Sequence, residues 1–221
     1  MYHNVAISID PKRQLFNGQP GTLGLFIDAL ALGPGARVLH VGCGLGYYTA
    51  LMAHCVGASG RVAAFEVDGA LAAEARANLA AFTWVDVRHA DATMPLGETF
   101  DAILVNAGVT HPQAAWLDAL APGGRLVLPL TATMAQMGPT IGKGPVVLLT
   151  RAEGSAGYAA RAVGFVAIYS GVGLRDAALN DRLGQALVKH PFAPVTRLRV
   201  DAHDPSPSCW HHGDRFCFSL E

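Results

Sequence analysis

Three glycines at alternate positions, Gly42, Gly44 and Gly46, interrupt an apolar run, and an acidic residue, Glu66, follows twenty positions after the last. Glycine lets a backbone turn sharply and lets a ligand approach where a Cβ would otherwise stand. A carboxylate has lone pairs enough to accept from both hydroxyls of a ribose. These residue types at this spacing describe a nucleoside site, with a turn to hold the ligand and an acid to grip its sugar. Later polar residues extend the same chemistry. Asp91 can accept from an adenine amine while the backbone N–H of Ala92 meets a ring nitrogen, and Asn106 can line the ligand or the acceptor entrance. His111 is the candidate general base, its imidazole titrating in the useful range. The plainer alternatives are an Asp and an Asn that open turns, and a half-exposed His near a helix start.

These residues meet only if the chain places them at one edge of a sheet. Arg37–Val41 reads as a short buried strand running into the glycine turn, and a helix follows from Tyr47 to Val56. A second strand, Arg61–Val67, carries Glu66 at its end, and an Ala-rich helix extends to Ala81. Trp84–His89, Phe100–Asn106 and Arg125–Leu130 read as further strands, with a short helix over Pro112–Leu120. A helix over Thr22–Leu32, closed by Gly33-Pro34-Gly35, precedes them all. Alternating strands and helices with short connections imply βαβ units, and right-handed crossovers make them a doubly wound sheet. Pro145–Arg151 and Ala160–Tyr169 predict an antiparallel pair joined through the turn at residues 153–157; a helix over Asp176–Lys189 follows, then strand-like runs Thr196–Ala202 and Trp210–Leu220. The expected class is therefore α/β: a Rossmann-like, mostly parallel seven-stranded sheet with an antiparallel C-terminal strand pair and a small C-terminal β appendage. Residues 1–190 form the main domain, with an N-terminal substrate or cap segment over 1–33, and residues 191–221 form the appendage packed on it.

The same turn suits a nicotinamide dinucleotide, whose fingerprint is Gly-x-Gly-x-x-Gly. Here the third position of that fingerprint is Tyr47, too large for the tight packing a pyrophosphate site uses. A ligand without a pyrophosphate has no such need, and S-adenosylmethionine is one. The expected cofactor set is Gly42, Cys43, Gly44, Gly46, Tyr47, Glu66, Val67, Asp91, Ala92 and Asn106. An empty tight turn and a nicotinamide site remain the alternatives.

With 221 residues, 51% hydrophobic and 15% charged, the chain has material for a core. Its formal charge of −1 and lack of a basic stripe give no reason to expect a nucleic-acid partner. The start lacks the pattern of a signal peptide, and no apolar run reaches membrane-spanning length, so a cytoplasmic protein without a membrane partner is expected. Cys43, Cys55, Cys209 and Cys217 are read as reduced thiols. Cys209, His211, His212 and Cys217 mix zinc-type ligands, but without the Cys-x₂₋₄-Cys spacing of zinc turns. Interleaved with Trp210, Phe216 and Phe218, they read as a strand or hairpin, and no metal is assigned.

The order of motifs resembles the protein-L-isoaspartate O-methyltransferase group of class I methyltransferases. The likeness rests on Gln19-Pro20 before a helix, the segment from Val38 to Tyr47, the strand from Phe100 to Ala107, and Pro122-Gly123-Gly124-Arg125-Leu126-Val127-Leu128-Pro129. It spans about residues 15 to 170. It implies a methyl donor held by the glycine turn, Glu66, Asp91 and Ala92, and a protein or peptide carboxylate as acceptor, met by Asn17, Gly18 and Gln19. The wider expectation is O-methylation of a carboxylate on a peptide, a protein isoaspartyl residue or a small molecule. Gly18 stands where the group commonly has Ser, and His40 where an acidic residue is usual. A cofactor-binding protein of this fold that has lost catalysis, and a nicotinamide oxidoreductase, are the competing readings.

Overall fold

Aliphatic residues fill both faces of Arg37–Val41, Arg61–Glu66 and Phe100–Val105, leaving at most one exposed residue in each. Strands of that kind must be covered on both sides. A computed structural model of the chain describes residues 3–133, 138–154 and 157–221. The central strands are β3 (Arg37–Val41), β4 (Arg61–Glu66), β5 (Val85–His89), β6 (Phe100–Val105) and β7 (Leu120–Pro129), and the pairings among these five are parallel. From one edge they stand in the order β5-β4-β3-β6-β7. The chain steps outward from β3 to β5 and then returns to place β6 on the other side of β3. That reversal opens a crevice beyond the carboxyl ends of β3 and β6.

Helices α1 (Pro20–Ala29) and α2 (Tyr47–Val56) cover one face, where Phe26, Tyr48 and Met52 pack on Val38, Val62 and Leu104. On the same side α3 (Gly69–Asn78) sets Ala75, with Leu79 just beyond it, against Cys43, Ala64 and Val87. The other face packs Leu39, Val41 and Ile103 with Trp116 of α4 (Ala114–Ala119) and Leu183 of α5 (Ala177–Lys189). Beyond β7 the sheet turns antiparallel through β9 (Ile141–Arg151) and β10 (Tyr158–Tyr169), which completes the expected seven strands. A short β8 (Ala132–Thr133) lies beside β9. The C-terminal segment continues the same sheet through β11 (Arg197–Arg199), β13 (Phe216–Ser219) and β12 (Cys209–Gly213). Among the described residues no helix is long and apolar enough to cross a membrane.

Several boundaries differ from the sequence reading. Helix α1 ends at Ala29, and Ala31, not Gly33, takes the left-handed conformation beyond it, at φ 50°. Helix α3 stops at Asn78, three residues short of Ala81. The run Trp210–Leu220 is two strands, because Asp214 and Arg215 form a two-residue turn between β12 and β13. Thr196–Ala202 keeps only the three residues of β11. The turn expected at residues 153–157 includes Ser155 and Ala156, which lie outside the described residues. An N-terminal hairpin, β1 (Ser8–Asp10) with β2 (Leu15–Phe16), had no signal of alternation behind it.

Two histidines are sealed in this frame. His40 of β3 shares a 2.8 Å hydrogen bond between Nδ1 and Thr49 Oγ1, and burial pushes its pKa down to about 3. His211 of β12 donates from Nε2 to the carbonyl of Thr110 at 2.8 Å, and burial pushes it down to about 4. Unfolded, each takes a proton near 6.5. Between those limits unfolding takes up protons, so stability present above pH 6.5 is lost as the pH falls. The slope reaches about 1.4 kcal/mol per pH unit for each proton taken up. Urea unfolding at pH 7, 6 and 5 is expected to show this acid decline, shallower in His40→Asn. Identical pH slopes in the two proteins would remove His40 from the account.

Candidate functional site

The turn after β3 is shaped by its neighbours on both sides. The N–H groups of Gly42 and Cys43 both donate to the carbonyl of Phe65, at 2.9 and 3.1 Å, and tie the turn to β4. Gly42 has φ 76°, and a Cβ there would stand 3.4 Å from the Asn106 carbonyl oxygen, so the turn presses against the end of β6. Gly44, at φ 55°, points its N–H at the Glu66 carboxylate, 2.9 Å from Oε2. The N–H of Asp68 donates to Oε1 of the same carboxylate at 3.1 Å. Glu66 is 8% exposed, so its charge is met by the backbone of both loops. A carboxylate offers about four lone-pair positions, and two remain after these bonds.

Over this edge lies a cavity of about 630 Å³, within the range that small-molecule sites occupy. Gly42, Cys43, Gly44, Tyr47, Glu66, Val67, Asp91, Ala92 and Asn106 line it, and so do Asn17, Gly18 and Gln19. Asp91 Oδ1 accepts from the N–H of Thr93 at 2.8 Å, which sets the loop after β5. The wholly buried Trp116 anchors that loop from below, its indole N–H donating to the Ala92 carbonyl at 2.9 Å. Cys43 is buried, and burial with the nearby Glu66 charge pushes its thiol up to about 12; it is not a reactive thiolate. Asn17 braces the N-terminal segment, accepting at Oδ1 from the N–H of Ile7 at 2.9 Å. Gln19 is exposed, and its Oε1 accepts from the Thr22 hydroxyl at 3.3 Å.

Two of the expected residues stand elsewhere. Gly46 is outside the cavity lining; it caps α2 at φ 88°, and a Cβ on it would come 2.7 Å from Leu79 Cδ1. Its lack of a side chain serves the contact between α2 and the end of α3. His111 is also outside the lining. Beyond Asn106 the chain keeps pairing, Gly108 with Ser170 and Val109 with Leu130, and this carries His111 away toward β13. There its ring stacks on Phe216 at 5.9 Å, with Nδ1 bonded to the Thr110 hydroxyl and Nε2 to the Gln113 amide. His40 does not line the cavity either, and it holds α2 through Thr49.

Sequence reasoning expected a cap segment over residues 1–33 but missed how the cavity's outer wall is built. The N-terminal hairpin closes over the glycine turn, with Ile9 Cδ1 standing 3.8 Å from where a Cβ on Gly44 would be. Arg13 fixes the hairpin by an ion pair with Asp68, Nη1 to Oδ2 at 2.6 Å. Asp68 also caps α3, its Oδ1 accepting from the N–H groups of Ala70 and Leu71 at 2.9 and 3.1 Å. The Leu71 N–H and the Arg13 guanidinium hold its carboxyl below the usual carboxylate range. An Asp just before a helix is a readable cap signal. Its partner, 55 residues earlier, is not. The far wall comes from the end of β10 and the residues after it, Phe165 to Val172, with Leu174.

The family described as protein-L-isoaspartate(D-aspartate) O-methyltransferase matches residues 1–146 of the chain. A protein-L-isoaspartate O-methyltransferase of Methylorubrum populi is 48% identical over 115 residues, 51% of this chain and 53% of that one. The corresponding protein of Methylorubrum extorquens is 42% identical over 165 residues, 72% of this chain and 67% of that one. The match spans about half the length of the first two such relatives, 53% and 47%. Among solved structures, a protein-L-isoaspartate O-methyltransferase superposes with TM-score 0.65 at 22% identity, over 89% of this chain and 59% of that one. One from Plasmodium falciparum in complex with S-adenosyl-L-homocysteine superposes with TM-score 0.59 at 19% identity, over 76% of this chain and 80% of that one. At these identities the structural likeness is one of fold.

Asp68 is the cheapest place to test the closed wall. Asp68→Ala removes both the helix cap and the anchor of Arg13, and is expected to cost about 1–2 kcal/mol in urea unfolding. Asp68→Asn keeps a capping oxygen and is expected to lose less. In both variants hydrogen exchange at residues 8–16 is expected to quicken. Unchanged exchange there would show that the ion pair does not hold the hairpin.

Proposed function

This chain belongs to the protein-L-isoaspartate(D-aspartate) O-methyltransferase family, and we propose that it is an S-adenosylmethionine-dependent O-methyltransferase whose acceptor is the carboxylate of an isoaspartyl residue in a peptide or protein. The donor supplies a methyl group on a sulfonium, activated for in-line displacement by a nucleophile. The cavity suits its nucleoside: the turn at Gly42 and Gly44 gives close backbone approach, Glu66 keeps two lone-pair positions for the ribose hydroxyls, and Asp91 with Ala92 faces an adenine.

The observation that carries the choice of acceptor is the absence of a general base. Among the described residues, the cavity is lined by no histidine and no lysine. Its carboxylates are held in place by the fold, Glu66 by two backbone N–H groups, Asp68 by its cap and Arg13, and Asp91 by Thr93, and the open positions of Glu66 and Asp91 serve the nucleoside rather than the acceptor. A hydroxyl or amine acceptor needs a proton removed, whereas a carboxylate is already ionised near neutral pH. The chain's task is then to hold the acceptor oxygen, methyl carbon and sulfur in line, and to keep water out. Positioning of that kind can be worth about 7–11 kcal/mol of barrier.

Gly18 is a departure at the acceptor entrance with a local reason. Its φ is 79°, and a Cβ would come 2.9 Å from Leu23 Cδ2, so a serine there is strained. The same virtual Cβ lies 3.7 Å from the Tyr48 hydroxyl, which is buried and has no hydrogen-bond partner among the described residues. Tyr48 also lines the cavity, and burial pushes its pKa up to about 12, so it stays a donor. This hydroxyl stands in for the missing serine hydroxyl, donating to the acceptor carboxylate.

Two measurements test the reading. Calorimetry with S-adenosylhomocysteine is expected to show one-to-one binding, weakened at least tenfold in Glu66→Ala; no heat with the intact chain would sink the proposal. With an isoaspartyl peptide, Tyr48→Phe is expected to lower kcat/KM about tenfold to a hundredfold, the loss of one hydrogen bond to a charged group, with donor affinity unchanged. Full turnover in Tyr48→Phe would leave that residue a packing role only.

A further inference from the structure

At the sheet edge farthest from β5, and sharing no lining residue with the main cavity, four side chains converge: His203, Cys209, His212 and Cys217. Each can present one ligand atom, and these atoms all lie within 4.8 Å of one another. We propose that this cluster is a structural zinc site, a Cys₂His₂ centre that fastens the C-terminal hairpin to the loop before it.

The local structure explains how the ligands come to share a side. Along a regular strand, residues three apart face opposite ways. Strand β12 carries a bulge between Cys209 and His211, and an extra residue there resets the alternation. Cys209 and His212 thereby share a face with Cys217, which pairs directly with His212 across the turn. His211 is turned to the other face, stacks on Phe218 and donates to the Thr110 carbonyl. The fourth ligand comes from the loop after β11. His203 donates from Nδ1 to the Asp201 carbonyl at 3.0 Å, so that Nε2 carries the free lone pair, 3.5 Å from Cys209 Sγ. A backbone carbonyl on the far nitrogen is the usual way a metal-binding imidazole is oriented.

One separation already matches a tetrahedral ion, and the others, all within 4.8 Å, need only rotamer adjustment to close on it. Bonds of about 2.3 Å to sulfur and about 2.0 Å to nitrogen put neighbouring ligand atoms about 3.3–3.8 Å apart. The 3.5 Å between Cys209 Sγ and His203 Nε2 lies in that interval. His212 adds an independent sign, for its Nδ1 is shut from solvent with no hydrogen-bond partner among the described residues. Two sulfurs and two nitrogens in a tetrahedral set select zinc among the divalent ions. Four protein ligands leave no position for a substrate, which makes the centre structural. Binding releases the two thiol protons to solvent and changes no oxidation state.

The test uses the full chain, purified under reducing conditions and stripped of metal. Titration with cobalt(II) chloride is expected to give one equivalent of a tetrahedral d–d spectrum with thiolate-to-metal charge transfer, and zinc chloride to displace it. Competition with a chromophoric chelator is expected to show zinc affinity reduced at least tenfold in His203→Ala and in Cys209→Ser. Asp91→Ala, in the other cavity, is expected to bind zinc as the parent does. Zinc is expected to raise the Tm of the parent but not of His203→Ala. A featureless cobalt titration of the parent would overturn the site, whatever the variants do. So would equal zinc affinity in parent and variants, or a Cys209–Cys217 disulfide that resists reductant in the mass spectrum.

Discussion

The carboxylate of Glu66 receives one backbone N–H from each of the two loops that frame the site, Gly44 from the turn after β3 and Asp68 from the start of α3. A buried charge is costly unless hydrogen-bonded, and charge-assisted bonds to backbone donors are among the stronger ones a protein makes. Neither loop keeps its shape without the other: Gly44 needs an acceptor for its N–H, and Glu66 needs donors for its charge. The glycine conformations, the cap at Asp68 and the Arg13 tether all follow from holding that carboxylate at the cavity edge. The cavity is in this sense built around an acceptor with lone pairs to spare.

From that constraint the chemistry of the cavity follows. The carboxylates around the glycine turn are fixed by backbone N–H groups with their open positions at the nucleoside edge, and His40 is buried and neutral behind it. What remains is a largely apolar chamber between an N-terminal hairpin and the end of β10. Among the described residues no histidine or lysine lines it, and such a chamber suits an acceptor that arrives already charged. A transfer governed by alignment asks for rigid walls, and the walls here are tied by backbone bonds and one ion pair.

The parts of this arrangement written locally in the chain were legible. The aliphatic runs of β3, β4 and β6 announced a sheet covered on both faces, and the turn chemistry of Gly42 to Gly46 marked its functional edge. Glu66 was readable because its spacing from the turn is one strand and one helix. What depended on distant contacts was not. Gly46 owes its glycine to Leu79, and the hairpin over the cavity owes its place to Arg13 meeting Asp68. His111 looked well placed because it lies just beyond the strand expected over Phe100–Asn106, yet Gly108 and Val109 go on pairing. The cluster at Cys209 defeated spacing rules because a bulge changes which residues share a face, and because His203 belongs to a separate loop.

The central claim is spatial, and a crystal structure of the chain soaked with S-adenosylhomocysteine tests it most directly. The account predicts both ribose hydroxyls within hydrogen-bond distance of the Glu66 carboxylate while its bonds to the Gly44 and Asp68 N–H groups persist. Density for the nucleoside elsewhere, or a Glu66 side chain turned away from the sugar, would contradict it.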